Sequence, residues 1–294
     1  MLARRKAELM LGTTVVLWAL NFTVTKYALT HGFRPLAYSA VRYGAATVLF
    51  TWFTYGKERS FAVRRRDLGL IVLAAAIGIW LNQISYVYSL KFSSASTIAL
   101  ILGATPIFTA LIAFALGLER LHLRFWFASV ISFAGVALVA LGRSGGISGS
   151  LKGDARGVAC AATWGAYSVA IAPLMRRYSP YRISALVLVI GWVAVAITGF
   201  QQVEHQSFHL SALVWACLVY ATLGPLVLTN ILWFRAIDQV GPSRATLVGN
   251  LQPFIAAIFA VALLSETMTA LQIFGGVLIA GGILLVRRPR ARAA

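Results

Sequence analysis

The chain has 294 residues, of which 60% are hydrophobic and 12% are charged, and its mean hydropathy is +0.81. This composition, with the apolar residues in long blocks, excludes a soluble globular domain and a disordered chain. The formal net charge of +18 would suit a nucleic-acid-binding protein. The positions of the basic residues along the chain distinguish nucleic-acid binding from membrane topology as the explanation of this charge.

Ten apolar blocks follow one another along the chain, and each is long enough to cross a bilayer, for which about 20 residues suffice. Backbone amides find no water in hydrocarbon, so each block is predicted to be a helix, and the unbroken apolar runs exclude a β-barrel. The predicted spans are Glu8–Ala28, Leu36–Tyr55, Leu68–Tyr88, Ala95–Leu118, Arg124–Leu141, Ala155–Leu174, Ile183–Phe200, Ser211–Phe234, Pro242–Leu264 and Ala270–Val286. The predicted fold class is an all-α membrane protein with ten transmembrane helices.

The second half of the sequence repeats the first. Thirteen of the 54 residues at positions 86–139 recur without a gap 147 positions later. The recurring pairs include Pro106/Pro253, Glu119/Glu266 and Gly135/Gly282. We therefore predict two five-helix repeats, residues 1–147 and 148–294. Because five is an odd number, the second repeat enters the membrane from the opposite side, and such inverted repeats are typical of transporters with a central cavity at mid-membrane.

The basic residues divide unequally between the two sides of this topology. If both termini are cytoplasmic, the cytoplasmic segments carry nineteen Lys and Arg residues and the external segments carry six, while Arg42 lies inside the second span. Positive residues concentrate on the cytoplasmic side, so both termini are predicted to be cytoplasmic. Topology then accounts for the net charge, and no nucleic-acid partner is predicted. Binding of anionic lipid or nucleic acid through Arg64–Arg66 is the weaker alternative.

Acidic residues and histidines are absent from mid-depth in the predicted spans. All eight acidic residues and all four histidines lie at span ends or in connections. A buried carboxylate or imidazole is the usual proton relay of a coupled transporter, so obligatory proton coupling of that kind is not expected. Hydrolytic catalysis is not expected either, because a nucleophile in the membrane would have no base or metal to activate it. No metal-ligand or nucleotide motif occurs, so no metal and no cofactor are predicted.

Uncharged polar and aromatic residues do occupy mid-depth, at matching places in the two repeats. An amide in hydrocarbon costs several kcal/mol unless it is hydrogen-bonded or faces water, so these side chains are expected to face a shared interior. They either hold helices together or line a central substrate cavity, and their symmetric recurrence beside aromatic residues favours the cavity. The predicted substrate-binding residues are Trp18, Asn21, Gln83, Tyr86, Trp164, Tyr167, Asn230, Trp233, Asn250 and Gln252.

Three prolines and one arginine inside the spans are further candidates. Pro106, Pro225 and Pro253 lie near mid-depth, where each removes a backbone hydrogen bond and is expected to kink its helix. Each kink is either a fixed feature of packing or a hinge between the two ends of its helix. Arg42, about two turns from the outer face, is expected to extend outward to the membrane interface, and pairing with a substrate carboxylate is the alternative.

The chain resembles the drug/metabolite transporter superfamily, specifically ten-helix exporters built from two EamA-type repeats. The resemblance rests on the segment from Trp18 to Phe22, Arg42, the run from Tyr88 to Ala95, and the recurring pairs at 106/253 and 119/266. Within the superfamily the chain looks most like YddG-type exporters of aromatic and other amino acids. The resemblance implies a ten-helix fold and export of small metabolites across the inner membrane.

The resulting prediction is a bacterial inner-membrane exporter of small neutral or zwitterionic metabolites, amino acids foremost, that works by alternating access of the two inverted repeats around a central cavity. The expected partners are a small-molecule substrate and the lipid bilayer, with a monomer expected and a dimer as the alternative. A broad exporter of drugs or nucleobases is the alternative within transport. A lipid-handling protein such as a flippase is the alternative from another class, and it would need a polar lateral groove between helices.

Overall fold

A computed structural model describes residues 2–118, 121, 123–142, 147–240, 248–249 and 251–287. Within these residues all regular structure is helical, which confirms the all-α class. The helices are α1 (Leu2–Thr30), α2 (Pro35–Glu58), α3 (Arg65–Ala75), π1 (Ala76–Leu81), α4 (Asn82–Phe92), α5 (Ala95–Leu102), α6 (Thr105–Ala115), α7 (Leu123–Leu141), α8 (Ile147–Met175), α9 (Pro180–Glu204), α10 (Ala212–Thr222), π2 (Leu223–Leu228), α11 (Thr229–Val240), α12 (Gln252–Leu264) and α13 (Ala270–Arg287). Asn250 and Glu119 lie outside the described residues.

Most of the predicted spans coincide with helices that suit a membrane. Within the described part of the chain, six helical stretches are long and apolar enough to cross a bilayer: Lys6–Thr30, Arg65–Phe92, Ala95–Ala115, Leu151–Met175, Pro180–Glu204 and Ala212–Ala236. Shorter apolar helices lie at the fifth, ninth and tenth predicted spans, and α2 lies at the second. The helical, apolar character is thus confirmed, and the count of ten membrane crossings stays a prediction.

The fourth predicted span is interrupted. α5 ends at Leu102, residues 103 and 104 form a turn, and α6 begins at Thr105 with Pro106 in its first turn. Pro253 likewise lies in the first turn of α12. A proline suits that position because the first N–H groups of a helix have no intrahelical partner. The predicted kink at Pro106 is therefore confirmed as a break, but both prolines begin a helix rather than remove a bond from its interior.

The third and eighth predicted spans each contain a π-helical turn at mid-length. π1 and π2 begin and end at positions that are 147 residues apart. π2 contains Pro225, and π1 has Gly78 at the equivalent position. A π turn disturbs the regular ladder of helical hydrogen bonds and frequently marks a functional part of a helix. Both helices are therefore irregular at the same depth, although only one contains a proline.

Several helix-packing pairs recur when each helix is exchanged for its equivalent in the other half. α1 packs on α11 and α12, just as α8 packs on α4 and α6, and the equivalent helices α7 and α13 pack on each other. Glycines bring α7 and α13 close together, because a Cβ on Gly135 would lie 2.5 Å from Gly275 O and one on Gly282 would lie 2.7 Å from Ala128 O. Such small residues allow close backbone approach between membrane helices.

The bundle has two ends, which we name the Gln206 end and the Asp67 end after the residues there. Toward the Gln206 end a large buried cluster joins α1, α4, α5, α10 and α12 around Phe22, Tyr86 and Ile98. Toward the Asp67 end, α2, α3, α8 and α9 share a second cluster, and Leu11 of α1 packs with Ala236 of α11 in a third. The hydrophobic core is therefore divided into two large clusters and one small one. The charge-based topology makes the Gln206 end external.

Candidate functional site

A buried polar chain connects α1, α2 and α4. Asn21 Nδ2 donates to Tyr86 Oη at 3.0 Å, Thr25 Oγ1 donates to Asn21 Oδ1 at 3.5 Å, and Thr25 Oγ1 lies 3.1 Å from Tyr38 Oη. All four side chains are buried. Phe22 packs edge-on against the Tyr86 ring, with centroids 5.6 Å apart. Asn21 and Tyr86 therefore share one interior, and they use their hydrogen-bonding groups to join α1 to α4.

Two adjacent amides on α4 behave differently. Asn82 Nδ2 donates to Cys160 O at 2.9 Å and to Thr163 Oγ1 at 3.1 Å, which fastens α4 to α8. Gln83 is also buried, but its Oε1 has no hydrogen-bond partner. It lies three residues before Tyr86 and therefore on the same face of the helix. Asn82 holds helices together, whereas Gln83 keeps a free acceptor in the interior.

Two indoles meet between α1 and α11. The rings of Trp18 and Trp233 are 5.1 Å apart between centroids, and both side chains are half-buried. Trp18 Nε1 donates to Pro225 O in π2 at 3.2 Å. Asn230 Nδ2 donates to Leu226 O at 2.5 Å, four residues earlier on the same helix. The Asn230 bond stays within one helix and does not tie two helices together.

The corresponding aromatic residues of the second half lie on α8. Trp164 is 44% exposed, and its ring centroid is 5.2 Å from that of Tyr167. The Tyr167 ring packs over Gly78 in π1, where a Cβ would lie 2.1 Å from the ring. The tyrosine can occupy this position because residue 78 has no side chain. Gln252, the first residue of α12, is half-buried, and the predicted site residue Asn250 lies outside the described residues.

Polar contacts join several helices at the Gln206 end. The Glu266 carboxylate accepts hydrogen bonds from Ala95 N at 2.8 Å, Ser96 N at 3.0 Å and Ser96 Oγ at 2.6 Å. A carboxylate at a helix N-terminus is favoured by the free N–H groups and the helix dipole. Lys26 Nζ donates to Leu90 O at 2.6 Å and to Ser93 O at 2.8 Å. These contacts join α1 and the α12–α13 connection to α4 and α5.

Burial differs between the two halves of the broken helix. In α5 every residue from Ala95 to Ile101 is buried, whereas in α6 only Ile107 and Ala113 are buried. The neighbouring Trp18, Trp164 and Gln252 are also incompletely buried. α5 is therefore enclosed by other helices along almost its whole length, whereas much of α6 and these three side chains are partly accessible.

Two ion pairs join described residues at the Asp67 end. Arg177 Nη1 lies 2.5 Å from Asp67 Oδ1, Tyr178 Oη donates to Asp67 Oδ2 at 2.6 Å, and Arg182 Nε lies 3.1 Å from Glu58 Oε2. These contacts join α2 and α3 to α9 and to the connection between α8 and α9. They do not involve α1 or α12, which carry Trp18 and Gln252. α11 does reach this group, because Phe234 packs edge-on against Tyr181.

Arg42 lies inside the protein, so the expectation that it extends outward to the interface is wrong. Its side chain is 3% exposed, and its Nε donates to Ala221 O of α10 at 3.0 Å. The guanidinium carbon is 5.9 Å from the centre of the Tyr38 ring and 5.6 Å from that of Tyr43. Helices on several sides enclose the group, so neither lipid nor the aqueous interface is accessible to it.

The sequence profile of the EamA-like transporter family matches residues 5–141 and again residues 151–288. The chain belongs to the EamA-like transporter family. A relative from Streptantibioticus cattleyicolor named as a probable terminal-alkyne amino-acid exporter is 25% identical, over 96% of this chain and 94% of its own. The uncharacterized transporter YyaM of Bacillus subtilis is 26% identical, over 90% of this chain and 88% of its own. A solved crystal structure of a protein with 18% identity aligns over 96% of both chains with a TM-score of 0.64, which shows the fold.

Membership of the EamA-like family makes this protein a membrane transporter and not an enzyme, as the sequence predicted. Among the described residues, no group of three or more His, Cys, Asp or Glu side chains is placed to hold a metal ion. Sequence reasoning missed Asn82, Thr25 and Tyr38. No local pattern distinguishes Asn82 from Gln83, whereas Thr25, one helical turn after Asn21, could have been included by its spacing.

Proposed function

We propose that this EamA-family transporter exports small neutral or zwitterionic metabolites, amino acids foremost, by alternating access. The observation that carries the proposal is an interior of amide and aromatic groups, in which buried Gln83 has a free acceptor and Trp18 and Trp233 are only half-buried. A zwitterion needs hydrogen-bond donors and acceptors beside an apolar wall, and these groups supply both. A relative named as an amino-acid exporter supports the same substrate class.

The pathway we propose runs between the α1–α11–α12 side and the α4–α6–α8 side. Trp18 and Trp164 are on opposite sides of it, and both are incompletely buried. The further lining residues are Gln83, Tyr167, Asn230, Trp233 and Gln252, with Asn250 as a proposal from sequence. Asn21 and Tyr86 close the pathway toward the Gln206 end through their 3.0 Å hydrogen bond.

The conformation corresponds to one closed toward the Gln206 end and accessible from the Asp67 end. The supporting observation is that polar contacts at the Gln206 end join both sides of the pathway, through Lys26 to α4 and through Glu266 to α5. If the charge-based topology holds, this state faces the cytoplasm, from which an exporter takes up its substrate. Opening the other end requires the Asn21–Tyr86 and Lys26–Ser93 contacts to separate.

Movement between the two states needs flexible points at mid-depth. We propose that Pro106, Pro225 and Pro253 mark these points, because each lies at a helix start or in a π turn. The π turns recur at equivalent positions, as expected if two inverted repeats of residues 1–147 and 148–294 rock against each other. A helix that is already interrupted can change direction there without breaking regular hydrogen bonds.

A lateral groove of about 420 Å³ lies between α5, α12 and α13. Its lining is apolar and includes Leu100, Phe254 and Met268. A lipid-handling protein would need polar groups in such a groove for the headgroup. The groove therefore gives no support to lipid handling, and export of a small polar molecule remains the proposal.

Counterflow tests the proposal directly. Purified protein is reconstituted into liposomes loaded with an unlabelled amino acid, and uptake of the same labelled amino acid from outside is followed. Phenylalanine, threonine and alanine form the first panel, and a nucleobase and a cationic drug form the second. Transient accumulation of the amino acids above protein-free liposomes is expected. Accumulation of only the second panel would replace the proposal by the drug or nucleobase alternative.

A further inference from the structure

Arg42 carries a full charge deep in the protein. It follows Pro35, the first residue of α2, by seven positions, and a rise of about 1.5 Å per residue places it roughly 10 Å along the helix. Its side chain is 3% exposed. A charged side chain at such a depth in a membrane protein is costly and commonly marks a substrate or ion pathway. The contacts of its individual nitrogen atoms show which hydrogen-bond donor lacks an acceptor.

The guanidinium nitrogen Nε has a hydrogen-bond acceptor on α10, and that carbonyl is free because of a proline in π2. Pro225 has no N–H group, so the carbonyl four residues earlier, that of Ala221, loses its helical donor. Arg42 Nε donates to this carbonyl at 3.0 Å. In the other half, Gly78 replaces the proline and retains its N–H, and the positions 146 and 147 residues after Arg42 are Leu188 and Val189. Arg42 of the first half therefore bonds to the carbonyl that Pro225 of the second half leaves free. The equivalent positions in the opposite halves have neither an arginine nor a proline.

The terminal nitrogen Nη1 of the guanidinium has no hydrogen-bond partner. Arg42 Nη1 is buried and makes no hydrogen bond. No ion pair joins Arg42 to a described carboxylate, and the carboxylates of Asp67 and Glu58 pair with Arg177 and Arg182 instead. The Tyr38 and Tyr43 rings offer weak cation–π attraction at 5.9 and 5.6 Å. A buried donor without an acceptor is unfavourable, and more so when it is charged, so the group favours binding of an anion.

The location connects this group to the pathway. The Tyr38 hydroxyl is 3.1 Å from Thr25 Oγ1, which bonds to Asn21, and Asn21 donates to Tyr86. Arg42 therefore adjoins, through Tyr38, the polar chain that closes the pathway toward the Gln206 end. Separation of this chain during alternating access would uncover Nη1 beside the open interior.

We infer that Arg42 binds the carboxylate of the transported molecule through Nη1, so that the substrates are carboxylates, amino acids included, and not merely neutral polar compounds. This inference rests on the proposed function, because it concerns the same pathway. A guanidinium suits the role since it is permanently charged and its N–H groups match carboxylate geometry. The bond from Nε to Ala221 O holds the group in place while Nη1 remains free for the ligand.

The test compares phenylalanine with phenylalaninamide, which keeps the ring and the amino group but has a neutral amide in place of the carboxylate. Initial uptake of each is measured in proteoliposomes containing wild-type protein, Arg42→Met, Arg42→Lys or Arg34→Met. Wild type is expected to prefer phenylalanine by about ten- to a hundredfold, the range for a hydrogen bond to a charged group. The ratio should fall toward one in Arg42→Met and remain partly above one in Arg42→Lys. It should be unchanged in Arg34→Met, which removes an exposed arginine near the start of the same helix.

A purely structural role gives a different result. If Arg42 serves only to satisfy Ala221 O, Arg42→Met lowers the melting temperature and leaves the phenylalanine-to-amide ratio as in wild type, which overturns the inference while the proposed function stands. Should the single variant fail to fold, Arg42→Met is combined with Pro225→Ala, which supplies a backbone N–H for that carbonyl. The ratio should then still be near one. If wild type transports neither compound nor any other amino acid, the proposed function fails, and the inference fails with it.

Discussion

Replacing Gln83 and Asn82 by leucine, one at a time, should separate a substrate-facing amide from one that holds helices together. Asn82 makes two hydrogen bonds to oxygen atoms of α8, at 2.9 and 3.1 Å, besides a weaker one to Cys160 Sγ at 3.4 Å. At about 0.6–1.5 kcal/mol each, their loss in Asn82→Leu should cost roughly 1–3 kcal/mol of stability. With about 2–4 °C per kcal/mol for a chain of this size class, the melting temperature should fall by roughly 2–12 °C.

Gln83→Leu should instead keep or raise the thermal stability and lower the transport rate. The Oε1 atom that disappears has no partner, so its removal relieves a buried unsatisfied acceptor and should leave the melting temperature equal to or above that of wild type. Transport should nevertheless fall, because a hydrogen bond to substrate worth about 0.5–1.5 kcal/mol corresponds to roughly a two- to tenfold change in rate. Asn230→Leu should resemble Gln83→Leu, since the Asn230 bond lies within its own helix.

The assay is a thermal melt in detergent together with amino-acid counterflow per reconstituted molecule, carried out on the same preparations of all variants. Asn82→Leu, the matched control on the adjacent position, should melt early and retain most transport per folded molecule. The assignment would be refuted if Gln83→Leu and Asn230→Leu both melted early yet transported normally. That result would make these amides interhelical contacts and would remove them from the pathway.

Three further outcomes are expected. A cysteine at the exposed Gln201, introduced into a cysteine-free background, should react with an impermeant thiol reagent added outside intact cells, and labelling from the cytoplasmic side alone would reverse the topology. Uptake should proceed at equal internal and external pH, since the spans predicted from sequence have no acidic residue or histidine at mid-depth. Strict dependence on a pH gradient, after correction for substrate protonation, would reveal a relay. Gly282→Ala should lower the melting temperature by several degrees, because the new Cβ would lie 2.7 Å from Ala128 O. Gly281→Ala is the control and should leave the melting temperature unchanged, because nothing lies within 4 Å of its Cβ. Equal melting temperatures of the two variants would contradict the close α7–α13 packing.

Local sequence was sufficient to predict most of the helices. Hydropathy and the need to satisfy backbone groups in hydrocarbon act on each segment separately, so the apolar blocks located helices such as α9 and α12 without knowledge of their neighbours. Pro106 located the break between α5 and α6, because its missing N–H is a property of the residue itself. The recurrence at 147 residues predicted equivalent positions, and the π turns begin and end at just such an interval.

Tertiary structure alone decided which interior groups are partners. Hydropathy and helical period treat Asn82 and Gln83 alike, but Asn82 meets Cys160, 78 residues away, and the Gln83 oxygen meets no partner. Arg42 was expected to extend to the interface because it lies only about two turns from the outer face. Its acceptor is Ala221 O, 179 residues away, which Pro225 leaves without a helical donor. Hydrogen-bond partners between helices depend on how distant segments pack, and the sequence of one helix carries no information about that packing.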